Sequence, residues 1–176
     1  MDNCLIILER TLDLLNIKYT KEYVKDQVLS HPYHPSILSI SDTLDKLKIS
    51  NVTVKTNIDH LSNISLPAII QVSERGMEFF FTLSKVERDK IECIDNNGVT
   101  IAKSKEEVMN HWTGLRLLLE CNNESGEINI EKKLYTRLLN RVLIIASLLL
   151  TLNFVPNEKF NFNIRTNPPK KPIEEH

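Results

Sequence analysis

Cysteine is scarce and widely spread: Cys4, Cys93 and Cys121 are an odd number and form no C-x-x-C pair. That spacing indicates neither a disulfide framework nor a thioredoxin-type motif, and it suits a reducing compartment. Charge of one sign is equally lacking. At a formal net charge of −1, the chain has no overall field to draw nucleic acid or an anionic membrane surface. No basic run is interleaved with aromatics, so single-stranded nucleic acid is not an expected partner. The G-x-x-x-x-G-K-[ST] motif is missing, which excludes ATPase chemistry on this chain. There is no internal repeat. Nor does a cleavable signal peptide stand at the start: Met1-Asp2-Asn3 opens with an acid, and no small-residue cleavage site follows the first apolar run. The first domain is therefore expected in the cytoplasm.

What is present reads as a globular protein of 176 residues, 41% apolar and 26% charged, enough for one domain with something appended. Three helices are predicted first. Leu5, Leu8, Leu12 and Leu15 repeat at helical spacing behind Asp2 or Asn3 as cap. Thr20 can cap a second helix running to Leu29, and Pro35-Ser36 opens a third with Ile37, Ile40, Leu44 and Leu47 on one face. Strand patterns follow at Val52–Thr56, Ala68–Val72, Phe79–Leu83, Lys90–Ile94 and Val99–Ala102. Asn96-Asn97-Gly98 signals a hairpin between the last two, because Asn and Gly tolerate positive φ. Ser104 to Glu107 forms a capping box before a short helix ending near His111, and Leu115–Leu119 reads as a buried strand. Helices followed by a mostly antiparallel sheet predict an α+β domain over residues 1–121.

Asn, Ser, Gly and Glu from Cys121 to Glu127 read as a linker, which together with a helix start is expected to occupy 122–137. A hydrophobic helix follows over 138–155, with no charge between Val142 and Leu152, and Pro156 ends it. Val142 to Val155 alone is shorter than the ~20 residues a span needs, but Arg141 can snorkel and extend the segment to Leu138. Its apolar residues surround the full circumference, so a transmembrane helix is expected rather than an interfacial one. Lys132, Lys133, Arg137 and Arg141 crowd its N-terminal side, which predicts a single span with the first domain in the cytoplasm. The tail, 156–176, is expected to be disordered.

Two stretches carry a family resemblance. Ile91 to Glu120 holds a strand, Asp95, a turn, a short strand, a short helix, then Trp112-Thr113-Gly114 and an apolar strand ending in Glu120. Gly76 to Lys85 is the second, and His31 to Leu47 adds a weaker match. Together they resemble the peptidase C39 family, the papain-like domains of bacteriocin-processing exporters. The last stretch is similar to C39-like domains fused to vitamin K epoxide reductase-type membrane proteins. The resemblance covers about two thirds of the chain and implies N-terminal helices packed on an antiparallel sheet.

The family's chemistry needs a thiolate at a helix start, a histidine to take its proton, an aspartate to orient that histidine and an upstream glutamine as oxyanion donor. Cys4 stands in the first turn of the first helix, where packing alone also suits a small residue. Glu78 falls where the family has histidine, and a carboxylate cannot shuttle the proton at neutral pH. Asp95 matches the orienting aspartate but has no imidazole to orient; it also suits an Asx turn. With three residues ahead of Cys4 as the chain stands, no upstream glutamine is available. Cys4, Glu78 and Asp95 are thus vestigial catalytic positions and candidate peptide-binding ones. No metal or cofactor is expected: His31 and His34 have H-x-x-H spacing but are flanked by prolines and are read as fixing a loop. Trp112 is read as core, with Gly114 allowing the turn into the last strand, and Phe79, Phe80 and Phe81 as sheet core with one ring outward.

The leading expectation is a membrane-tethered C39-like domain that binds a leader peptide without cutting it. By the resemblance, its partners would be a peptide and an ABC-type exporter or a thiol-redox membrane protein. Two other functions stay open from sequence: an active cysteine peptidase cleaving Gly-Gly leaders, and a regulatory or structural domain of a larger membrane thiol-redox system.

Overall fold

The computed structural model describes residues 2–56 and 65–153. Three helices open the chain: α1 (Asn3–Leu14), α2 (Lys21–Leu29) and α3 (Ile37–Lys46). Asp2 caps α1, its Oδ1 accepting from Leu5 N at 2.9 Å. Ser36 caps α3 in a reciprocal box with Ser39. The strands are β1 (Ser50–Lys55), β2 (Ala68–Glu74), β3 (Met77–Val86), β4 (Lys90–Ile94) and β5 (Thr100–Ser104). Then come α4 (Lys105–His111) and β6 (Trp112–Glu120). They form one antiparallel sheet in the order β1-β6-β2-β3-β4-β5, so the predicted α+β architecture holds.

Alternation along the strands gives the sheet two cores. Ile69, Phe80, Ile94 and Leu117 face the three N-terminal helices, where Ile7, Leu8, Leu12, Ile40 and Leu44 are fully buried. Each such side chain stabilises the fold by roughly 1.5–3 kcal/mol. Ile70, Phe81, Leu83, Ile91 and Cys93 face the other way, with Val108 of α4 and Trp112. Phe79 is partly buried on that same side, so the three phenylalanines divide between both cores. Trp112 is 7% exposed and donates from Nε1 to Leu115 O. The last strand begins at Trp112, earlier than expected, and Gly114 lies inside it rather than ahead of it.

Beyond β6 the stretch read as a linker is bonded to the domain. Gly126 N donates to Leu47 O at 2.7 Å and Glu127 N to Lys18 O at 2.9 Å. Gly126 has a φ of 138°, and a Cβ there would meet Lys18 O at 2.9 Å, so only glycine allows this close approach. The Glu127 carboxylate then takes Thr20 N at 2.6 Å and Thr20 Oγ1 at 2.7 Å. Thr20 stands at the N-cap of α2 as expected, but its side chain makes no capping bond to the helix, and both its donors go to Glu127 instead. Lys133 Nζ donates to the other Glu127 oxygen at 2.7 Å. Burial alone would push this carboxyl up, but the lysine and the two Thr20 donors outweigh it and hold it below the usual carboxylate range. The first compact unit accordingly runs from Met1 to Lys133.

The second unit contains the remainder of α5 (Ile130–Asn153). The helix begins at Ile130, within the 122–137 stretch that was expected to hold a linker and the helix start. Leu138, Leu139, Val142, Ile144, Leu148 and Leu150 are all exposed on it. Among the described residues, Ile130–Thr151 is the one helix long and apolar enough to cross a membrane by length and composition. The end of the expected span, Phe154–Val155, and the tail expected to be disordered lie outside the described residues.

Candidate functional site

The first turn of α1 points two neighbouring side chains in different directions, because successive helix residues are rotated by about 100°. Asn3 faces β3. Its Nδ2 donates to Phe80 O at 3.1 Å and its Oδ1 accepts from Phe80 N at 2.6 Å. The next residue, Cys4, turns toward the start of α3, and Ser36 and Ser39 are near enough to act on its thiol. It is 1% exposed and part of the helix-side core. Desolvation is the largest influence on its thiol and the Asp2 carboxylate the second; together they push it up to about 11. An activated nucleophile needs the opposite shift.

Glu78 lies on β3 two residues before Phe80. It is exposed, pairs across the sheet with Ser73, and accepts from Gln71 Nε2 at 2.8 Å. Asp95 follows β4 and is committed to the hairpin: Oδ1 accepts from Asn97 N and Val99 N, both at 2.9 Å. Its backbone accepts from Gly98 N and donates to Val99 O, so the Asx turn read from sequence is present. Gly98, at a φ of 78°, would bring a Cβ to 2.8 Å from Ile6 Cγ2, so the hairpin tip rests against α1. A cleft of about 310 Å³ opens beside that contact, lined by Arg10, Asp13, Leu14, Ile94, Gly98 and Thr100. Neither Glu78 nor Asp95 is among the groups that shift the Cys4 thiol. The carboxylate that acts on its thiol is Asp2.

The two histidines are separated by their partners. His31 Nε2 bonds Asp42 Oδ2 at 2.9 Å, and His34 Nε2 bonds Asp2 Oδ2 at 2.9 Å. His34 belongs to a cluster that the sequence reading missed: a ring nitrogen of His34, the Cys4 sulfur and an Asp2 oxygen all lie within 4.8 Å of one another. His34 stands 30 residues beyond Cys4, and only the packing of α3 on α1 joins them.

Comparison with known proteins covers this same region. The sequence profile of the peptidase C39 family matches residues 1–124. No curated protein sequence matches the chain. Among solved structures, the fold is similar to the peptidase domain of Streptococcus ComA, described as a bi-functional ABC transporter of a quorum-sensing pathway. That likeness is 16% identical with a TM-score of 0.59, over 69% of this chain and 93% of the other. A double-glycine-motif protease from an AMS/PCAT transporter, solved with its leader peptide, is 14% identical with a TM-score of 0.61. It spans 69% of this chain and 85% of the other. The N-terminal peptidase C39-like domain of a Vibrio parahaemolyticus toxin-secretion ATP-binding protein is 16% identical at 0.56, over 69% and 98%. At these identities the structures speak for the fold.

Proposed function

Since this chain belongs to the peptidase C39 family over residues 1–124, we propose that it keeps the family's peptide-binding role and has lost the cutting step. The observation that carries this reading is the place of Cys4. Asn3, an amide with no nucleophilic chemistry, takes the position facing β3, while the thiol is buried and pushed up to about 11. The glutamate on β3 supplies no imidazole. A groove does not depend on the base: affinity for a peptide comes from apolar walls and backbone bonding. A related protease was solved with its leader peptide, which makes a leader the first ligand to try.

The proposed surface lies between the first half of α1, β3 at Glu78 and the Asp95 hairpin, with Cys4 beneath it. The two carboxylates favour a peptide with a basic residue near the ancestral cleavage point. Glu78 is exposed, so the preference is modest and weakens with salt. The length and apolar composition of α5 support a single membrane anchor; in this reading the domain faces the cytoplasm and its partner is an exporter or a thiol-redox membrane protein. Titration of labelled Gly-Gly leader peptides against the wild type and Glu78→Gln tests the reading. Micromolar binding that weakens about two- to fivefold in Glu78→Gln supports it, by analogy with exposed ion pairs. No binding to any leader in the panel leaves a structural or regulatory domain as the better account.

A competing observation favours residual peptidase activity. His34 is held by a carboxylate and lies near a thiol, as a catalytic imidazole does. The 1% exposure of Cys4 weighs against it, because a scissile carbonyl cannot reach a covered sulfur.

A further inference from the structure

The chemistry of the Asp2, Cys4 and His34 cluster is unlike that of an ordinary core. From these three side chains we propose a zinc site at the junction of the α1 and α3 N-termini. A thiol sulfur, a ring nitrogen and a carboxylate oxygen lie within 4.8 Å of one another. Tetrahedral zinc with bonds of about 2.0–2.3 Å needs donors roughly 3.3–3.6 Å apart, which small side-chain rotations reach from here. The donor set is that of a borderline-soft ion. Calcium and magnesium call for oxygen ligands alone, and an iron–sulfur cluster calls for several thiolates. Three protein ligands leave a fourth position for water, and Asp2 and His34 keep side-chain exposures of 27% and 17% through which it could enter.

The second observation is on the histidine itself. Its Nδ1 is buried and has no hydrogen-bond partner, whereas Nε2 is fixed by Asp2. A histidine kept only for packing would normally have both nitrogens satisfied. The site is also held from behind: the other Asp2 oxygen caps α1 through Leu5 N at 2.9 Å. His31 is not part of it, being bonded to Asp42. Binding would exchange the thiol proton for the metal and release that proton to solvent. The result would tie the first residues of α1 to the loop ahead of α3, and it would do so whether or not a peptide is bound.

The test uses the full chain in detergent, stripped with a chelator and titrated with cobalt(II), then with zinc as competitor. The expected result is one equivalent of cobalt giving a sulfur-to-cobalt charge-transfer band that zinc abolishes. The band disappears in Cys4→Ser and persists in Cys93→Ser and Cys121→Ser; affinity in His34→Gln and Asp2→Asn falls at least about tenfold. Because Cys4→Ser sits in the core and can misfold, the two partly exposed variants carry the test independently, with circular dichroism confirming their fold. No thiolate band in the stripped wild type, a band lost in Cys121→Ser, or full affinity in both His34→Gln and Asp2→Asn overturns the site.

Discussion

Asn3 and Phe80 exchange two hydrogen bonds across 77 positions of sequence, the amide nitrogen donating to Phe80 O and the amide oxygen accepting from Phe80 N. This side chain pairs with a strand backbone as another residue of the sheet would. It docks the start of α1 on β3.

Asn3→Ala should lower the stability of a fragment ending at Lys133 by about 1–3 kcal/mol, because Phe80 N loses its acceptor in a part-buried setting. Asn3→Asp keeps the acceptor but turns a carboxylate toward Phe80 O, and should cost at least as much. Urea unfolding followed by circular dichroism measures both; a change within 0.5 kcal/mol, roughly the scatter of surface substitutions, would show that the docking bonds contribute little.

Glu127 should make the domain acid-sensitive. Its carboxyl is held below the usual range in the folded chain, so its contribution is fully present above the unfolded value of about 4.3 and is lost as pH falls through the folded value. The thermal midpoint of wild-type fragment 1–133 should therefore drop below about pH 4 more steeply than that of Glu127→Gln. At pH 7 the Gln variant should be less stable by about 1–3 kcal/mol. A fragment ending at Cys121, which lacks the clamp on Thr20, should unfold at a lower urea concentration than one ending at Lys133.

Alkylation should rank the cysteines by burial. In chelator-treated protein at pH 8.5, a thiol at about 11 is ionised in about one molecule in 300, against one in two for an ordinary cysteine. Cys121 is exposed and should react first, with Cys4 and Cys93, both buried and both pushed up to about 11, lagging far behind. Peptide mapping of the modified sites reads this out. A fast plateau for Cys4 extending below about pH 6 would reveal an activated thiolate.

How much of this was legible in the sequence depended on distance along the chain. The Ser104–Glu107 capping box, the Asn96-Asn97-Gly98 hairpin and the Asp2 cap are local arrangements, and each stands where its residue types put it. The direction of Cys4 was not legible, since one helical step decides whether it or Asn3 meets the strand. Glu127 and Thr20, 107 positions apart, could not be paired from composition, so a polar stretch that straps the domain read as a linker. His34 was singled out through its spacing to His31, yet the groups it meets are Asp2 and Cys4, brought in by the packing of α1 against α3.

The full chain should fractionate with membranes while the 1–133 fragment does not. The helix from Leu134 to Asn153 is roughly 30 Å long at 1.5 Å per residue, the thickness of a hydrocarbon core. Extraction of the full chain by carbonate or high salt, without detergent, would show that the helix is not inserted.

The most direct measurement is incubation of the full chain in detergent with a panel of Gly-Gly leader peptides, followed by mass spectrometry of every peptide. The account predicts intact leaders after prolonged incubation, with binding detected in the same samples. A product cut after the double glycine, formed by the wild type and abolished in both Cys4→Ala and His34→Gln, would contradict it and establish a working peptidase built on His34.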